Sequence, residues 1–390
     1  MRHRQLARLA QQLAELKAGS LYRSRRSLES PQGVRVKIGG RDLVSFCSND
    51  YLGLASDPRL IQATQVAAEG MGVGAGASHL ISGHHRAHQD FEDAFAGFVG
   101  MPAALLFSSG YMASLGVIPA LVDRHGEVFA DKLNHASLND AAVLSGAKFS
   151  RYSHGSLAAL RVLLEKSSAK EKLIVSDSVF SMDGDIAPVD GLLALAEEFD
   201  AWLYLDDAHG FGVLGDQGRG ALSEGLRGSD RVVYLATLGK GAGVCGAAVA
   251  AHETVIEWLI NRAHTYIYTT AIPPFIGAAL GESLRLIATG QERRDRLHRH
   301  IQQLRGVLGS VNRWTLLKSA TPIQPLIIGE NAAASDLSRK LLTHGIWVPA
   351  IRTPTVPKGT ARLRISLSAA HQEDEIDALG VALCELSQAS

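Results

Sequence analysis

The chain has 390 residues, with 39 Lys+Arg against 39 Asp+Glu, 46% hydrophobic and 20% charged content. A formal net charge of zero offers no field for nucleic acid or an anionic membrane, and no run approaches the roughly 20 apolar residues needed to span a bilayer. Cys47, Cys245 and Cys384 show neither metal-ligand spacing nor a disulfide framework, which fits a reducing, cytoplasmic compartment.

Over residues 1–18, Leu6, Leu9, Leu13 and Leu16 recur at 3-4-3 spacing beside Arg2, Arg4 and Arg8, which predicts an amphipathic helix. Glu15 interrupts the acid-free character of a transit peptide, so the helix is expected to pack rather than to target. Val34–Ile38 and Leu43–Phe46 around Gly39-Gly40 predict a β-hairpin. From about residue 55 to 285, strands at Ala103–Phe107, Glu127–Ala130, Leu173–Ser176, Trp202–Leu205, Val232–Ala236 and Ala247–Ala251 alternate with helices such as Leu157–Lys166 and Leu192–Phe199. That alternation predicts an α/β domain, a mostly parallel sheet with helices on both faces. Arg293–Arg305 reads as a solvated linker helix. Beyond it, strands at Pro325–Ile328, Ile346–Ile351 and Ala361–Leu367 and helices near Ser335–Thr343 and Gln372–Leu386 predict a smaller α+β domain. The expected division is 1–51 as an N-terminal segment, 52–286 as the large domain and 287–390 as the small one.

Two motifs invite readings that their context weakens. Gly72-Val73-Gly74-Ala75-Gly76-Ala77 fits a dinucleotide-binding pattern, the basis of an alternative reading as a dinucleotide-dependent oxidoreductase, yet Leu60–Glu69 before it reads as helix rather than strand. His79, His84, His85 and His88 cluster without a matching second pair of metal ligands, so hydrogen-bonded structural histidines and no metal are expected. His298 and His300 sit on the charged helix and are assigned no chemistry.

The strand-like run Trp202–Leu205 ends at Asp206-Asp207-Ala208-His209, and Val232–Leu235 runs into Ala236-Thr237-Leu238-Gly239-Lys240-Gly241. Strand ends line the ligand crevice of an open α/β sheet. An amine and a carboxylate meeting there suit pyridoxal phosphate, which needs a lysine for its Schiff base and an acid to keep its pyridine nitrogen protonated. Ser108-Ser109-Gly110-Tyr111-Met112 follows a strand and opens a helix, where free N–H groups and hydroxyls suit the cofactor's phosphate.

Several stretches together, Phe46–Gly53, Phe107–Tyr111, Asn134–Ser137, Val179–Gly184, Asp206–His209 and Thr237–Gly241, resemble the α-oxoamine synthases across nearly the whole chain. These are fold-type-I pyridoxal-phosphate enzymes, active as homodimers with shared sites. The resemblance implies Lys240 as the Schiff-base lysine, Asp206 at the pyridine nitrogen, His209 at the phenolic oxygen and His135 stacked on the ring. It implies polar cofactor contacts from Ser181 and Thr237, phosphate contacts from Ser109, Gly110 and Tyr111, and Thr269 and Thr270 reaching a phosphate in the neighbouring subunit. Substrate contacts would fall to Asn49, His135, Arg352 for the amino-acid carboxylate, and Thr355 and Arg23 on the acyl side. The runs Ala350–Pro357 and Gly359–Arg364 narrow the resemblance to members that join L-alanine to a pimeloyl thioester in biotin biosynthesis, with glycine-using members as the alternative. Arg23, Arg25 and Arg26 suit either an acyl-carrier protein or a coenzyme A phosphate as the thioester's carrier. Three positions depart from the pattern: Asp177 where glutamate is usual, Thr353 where proline is common, and His79 where arginine is usual.

Overall fold

A computed structural model describes residues 4–309 and 311–388. The chain divides into two compact units, one of residues Asn49–Ser181 and Asp185–Leu297, the other of residues up to Ser48, Met182–Gly184 and His298 onward. The N-terminal segment therefore shares a unit with the C-terminal α+β elements.

That second unit begins with the hairpin Arg35–Ile38 (β1) and Arg41–Ser45 (β2), which pair antiparallel with Ile38 opposite Arg41. The intervening Gly39 and Gly40 have φ of 56° and 72°. A two-residue turn with both φ positive matches the right-handed twist of the strands, and glycine enters that region without steric cost.

The large unit holds the seven strands Ala103–Phe107 (β3), Glu127–Asp131 (β4), Lys148–Tyr152 (β5), Lys172–Asp177 (β6), Trp202–Asp206 (β7), Val232–Thr237 (β8) and Ala247–Ala251 (β9). Their order is β3-β9-β8-β7-β6-β4-β5. β8, β7, β6, β4 and β5 run parallel, and β9 lies antiparallel to β3 and β8. The central strands are apolar runs because both faces are covered. Ile174, Leu203, Leu205 and Tyr234 join Phe91, Phe95, Leu160 and Ile287 on one side. Leu173, Val175, Tyr204, Val233 and Leu235 join Val117, Leu138 and Leu259 on the other. Successive residues point to opposite faces, so one strand feeds both cores.

The second unit adds Thr315–Leu316 (β10), Ile323–Gly329 (β11), Ile346–Trp347 (β12), Ala350–Ile351 (β13) and Ala361–Ser366 (β14). They form a three-stranded sheet β1-β2-β12 and a four-stranded sheet β10-β11-β14-β13. The single strand expected at Ile346–Ile351 is thus two strands in two sheets. Pro349 between them has no N–H to continue a ladder.

Two further expectations are corrected. The helix over Gln291–Leu308 does run from one unit into the other, but it is not solvated all round: Leu297, Ile301, Leu304 and Leu308 form a buried stripe, and buried His300 bonds the Ser368 carbonyl through Nδ1 at 3.2 Å. The helix Arg4–Ala18 forms as its periodicity demands but buries no residue, and Leu6, Leu9, Leu13 and Leu16 are 41–65% exposed. The 3-4-3 spacing specifies a helix with an apolar stripe; it does not specify what covers the stripe.

Candidate active site

The site is built where the parallel strands end. β6 and β7 are in register there, with Asp177 opposite Asp206, and β8, whose Leu235 pairs with Asp206, runs two residues further to Thr237. The turn that follows carries Lys240 and is closed by Val244 N donating to Leu238 O at 2.9 Å and Gly243 N donating to Lys240 O at 2.9 Å.

Asp206 and Asp207 are adjacent but do different things. Asp207 is fully buried and accepts from Tyr234 Oη at 2.7 Å, Ala221 N at 2.9 Å and Ser178 Oγ, while burial raises its carboxyl to about 6. Asp206 accepts from Ala208 N at 3.0 Å. Burial raises its carboxyl, and the Lys240 and His135 charges act against that rise. Asp207 is thus the structural acid, and Asp206 the one that faces the lysine and the imidazole.

Lys240 Nζ lies 3.0 Å from His209 Nε2, His209 Nδ1 lies 2.6 Å from Tyr51 Oη, and Tyr51 Oη donates to Asn49 Oδ1 at 3.1 Å. The last bond fixes the direction of the others. A tyrosine that gives its proton to Asn49 receives one from His209 Nδ1–H, so Nε2 of a neutral His209 accepts from the lysine. Tyr51, which the sequence reading left unassigned, is 0% exposed and carries this relay.

His135 caps the helix Ala136–Ser145. Its Nδ1 pairs with Ser137 Oγ at 2.8 Å and accepts Ser137 N at 3.3 Å, and its own amide donates to Asp177 Oδ2 at 2.7 Å. Burial holds its imidazole below the ordinary value; Asp206 pulls the other way. Tyr111 presents its ring edge-on to His135 with centroids 6.5 Å apart, and its phenol bonds Asp140.

Ser109 caps the helix Gly110–Leu121, accepting Met112 N at 3.2 Å. A Cβ on Gly110 would lie 2.4 Å from Thr237 Cγ2, so the end of β8 and this helix N-terminus approach as closely as they do only because residue 110 has no side chain. Thr237 Oγ1 donates to Ala208 O at 3.3 Å, tying the Lys240 turn to the Asp206 strand end. Ser181 follows Phe180, whose amide donates to Asp185 O at 3.0 Å. Thr270 pairs with Ser78 in an isolated bridge, and Ala271 N donates to Ala77 O at 3.0 Å, so the 269–270 segment lies along the glycine-rich loop.

In the other unit, Arg23 Nη2 donates to Thr355 Oγ1 at 3.3 Å, Arg352 Nη1 donates to the Ser20 carbonyl, and Thr355 N donates to Arg352 O at 3.0 Å. The three residues assigned to substrate thus assemble with one another. Thr353 Oγ1 accepts from Asn331 Nδ2 at 2.8 Å, a bond that proline at this position would forgo.

The structure bears on both weak motifs. The helix Pro58–Met71, not a strand, precedes Gly72, so the dinucleotide reading loses its required context. His79 Nδ1 bonds His84 Nδ1 at 2.9 Å, while His85 and His88 form a capping box in which His88 Nδ1 accepts the His85 amide at 3.0 Å. His79, His84 and His88 bring one ring nitrogen each within 4.8 Å of one another, a grouping that their spacing in the sequence did not reveal.

A group fits this site if it offers a cation to Asp206, an electrophilic carbon to Lys240 and an anion to the helix at Gly110. An aromatic pyridinium phosphate with an aldehyde meets all three requirements.

The aminotransferase class I and II family profile matches residues 41–383. The chain belongs to that family. It is 63% identical over 382 residues to the 8-amino-7-oxononanoate synthase of Thiobacillus denitrificans, covering 98% of this chain and 99% of that one. It is 56% identical to the enzyme of the same name from Nitrosomonas eutropha, covering 97% and 98%. Among solved structures, Sphingomonas wittichii serine palmitoyltransferase superposes with a TM-score of 0.91 at 29% identity, over 98% of this chain and 96% of that one. The 8-amino-7-oxononanoate synthase of Francisella tularensis gives a TM-score of 0.76 at 33% identity, over 89% and 98%. A further palmitoyltransferase structure, with PLP bound, gives 0.92 at 29% identity, over 98% and 97%.

Proposed function

We propose that this chain is a pyridoxal-phosphate-dependent C-acyltransferase that condenses L-alanine with a pimeloyl thioester, releasing CO2 and the thiol and yielding 8-amino-7-oxononanoate. The observation that carries the reading is Lys240, hydrogen-bonded to His209 in a turn that opens beside buried Asp206. The names of the 63% and 56% identical relatives supply the substrate class.

In this reading Lys240 holds the cofactor's aldehyde carbon, Asp206 its ring nitrogen, His209 its phenolic oxygen, and His135 one ring face. Ser109 and the Gly110 and Tyr111 amides hold its phosphate, with Ser181 and Thr237 as further polar contacts. When bound, the cofactor withdraws electrons from the amino-acid Cα. Lys240 Nζ, neutral for the purpose, carries the proton away from Cα. A carbon–carbon bond forms at the thioester carbonyl as the carbon–sulfur bond breaks and the thiol leaves. The alanine carboxylate departs as CO2, and a proton returns to the same carbon. Arg352 takes the alanine carboxylate before it is lost, in the bidentate geometry that guanidinium favours. Asn49, Arg23 and Thr355 serve the substrate side.

A homodimer with shared sites belongs to this reading, supported by the Thr269–Thr270 segment and by the exposed leucines of Arg4–Ala18. The thioester's carrier is coenzyme A or an acyl-carrier protein. Among the described residues no helix is long and apolar enough to cross a membrane.

Purified protein loaded with pyridoxal phosphate is expected to turn over L-alanine with pimeloyl thioester and to reject glycine; steady-state rates with each carrier assign the donor. The Lys240→Ala chain should lose the visible lysine-bound absorbance and about a thousandfold or more in kcat. Retention of both absorbance and turnover in that variant would sink the reading.

A further inference from the structure

Asp177 takes no part in the reading above, yet it ends β6 directly opposite Asp206 at the end of β7. Only 2% exposed, its carboxyl Oδ2 accepts the His135 amide at 2.7 Å. Its own amide donates to Asn134 Oδ1 at 3.1 Å, and Asn134 Nδ2 donates to Val175 O at 2.8 Å. Three hydrogen bonds therefore pin residues 134 and 135 to the end of β6. The His135 ring is in turn fixed at Nδ1 by Ser137. With main chain and ring both tied, the position of the imidazole is set by where β6 ends.

We infer that Asp177 is a positioning residue for His135: its carboxyl clasps the His135 amide, and through that bond fixes where the imidazole stands beside Asp206.

Burial and then the Asp206 charge push the Asp177 carboxyl well above its usual range, against the His135 amide and Lys240; burial raises Asp206 as well, against Lys240 and His135. Asp177 acts on His135 through Oδ2. Its useful atom is an acceptor oxygen, which an amide supplies equally well.

The inference rests on the proposed role of His135 against the cofactor, and its test separates the two. The dissociation constant of pyridoxal phosphate is measured by fluorescence titration of apoprotein, and the bound cofactor's visible circular dichroism is recorded. Asp177→Asn is expected within about twofold of the wild type in both, since it keeps the acceptor. Asp177→Ala is expected to bind about tenfold more weakly, the loss of one hydrogen bond of about 1.4 kcal/mol, with a diminished dichroic band. In a His135→Ala background the same Asp177→Ala change is expected to alter affinity by less than about twofold, because its effect passes through His135. An additive cycle overturns the inference, as does an asparagine variant as impaired as the alanine. Should the alanine chain fail to accumulate folded, Asp177→Ser, too short to reach the amide, takes its place with the same expectations. A wild-type chain that bound no pyridoxal phosphate would refute the functional reading itself, whereas normal loading beside an additive cycle refutes only the assignment of Asp177.

Discussion

His154 lies between two carboxylates, its Nδ1 3.0 Å from Asp131 Oδ1 and its Nε2 2.8 Å from Asp185 Oδ2. Bonds to Asp131 and then Asp185 raise the imidazole to about 10 against an ordinary value of 6.5. The imidazolium thus joins the end of β4 to Asp185, whose carbonyl accepts the Phe180 amide of the segment leading to Ser181. A group whose value rises on folding contributes stability that is fully present below 6.5 and is lost as pH climbs through about 10. At about 1.36 kcal/mol per pH unit the interval caps the contribution near 5 kcal/mol. The His154 side chain is 29% exposed and Asp185 37%, so solvent screening reduces this to about 1–2 kcal/mol. With an unfolding entropy of about 2.1 cal/mol/K per residue, such a loss lowers Tm by about 1–3 °C. The perturbation is His154→Asn, which cannot become a cation. Calorimetric scans of wild type and variant at matched protein and cofactor concentrations should show the variant less stable by that margin at pH 6.5. The gap should shrink as pH rises above 6.5 and be closed by about pH 10, through which wild-type His154 gives up its proton. Asp131 retains the Leu133 and Gly155 amides in both proteins, so its own requirements largely cancel in the difference. A gap that is constant across pH 6.5–10, or widens with pH, refutes the assignment of His154 as the cation.

Tyr51→Phe removes the hydroxyl that lies 2.6 Å from His209 Nδ1 and with it one buried hydrogen bond; a loss of about 1–3 kcal/mol in stability by urea titration and a drop in kcat are expected. Gly110→Ala sets a methyl 2.4 Å from Thr237 Cγ2 and should weaken pyridoxal phosphate binding, while adding Thr237→Ser, which deletes that methyl, should restore much of it. Arg352→Lys keeps the charge but not the planar fork, so KM for L-alanine is expected to rise about tenfold or more with a smaller change in KM for the thioester.

Much of the large unit was legible because its strands are buried on both faces and read as unbroken apolar runs. β5 was not, since Lys148-Phe149-Ser150-Arg151-Tyr152 is an edge strand, half solvated and correspondingly polar. Lys240, Asp206 and His209 were legible because Asp206 ends a strand and the other two lie three residues beyond one, where an open sheet presents its chemistry. Tyr51 left no such signal. It lies 158 positions from His209, and a tyrosine in a turn looks the same whether it completes a relay or fills a core. The division of labour between Asp206 and Asp207 was invisible for a related reason. Adjacent acids differ only in which face they meet, and the Tyr234 hydroxyl and Ala221 amide that claim Asp207 come from other segments.

The direction of the relay bears on how the lysine can work. Asn49 Oδ1 is an acceptor only, so Tyr51 donates to it and receives from His209 Nδ1–H, and His209 Nε2 is left as the acceptor facing Lys240. A lysine donates through N–H whether it is neutral or charged. Lys240 can therefore take up a proton or give one away while its bond to His209, and every bond behind it, keeps the same sense. A chain running the other way would need His209 Nε2–H to donate to the lysine, and protonation of Nζ would then set two donors against each other. Asn49 at the far end thus frees the amine to cycle between its two states without rearranging the residues that hold it in place.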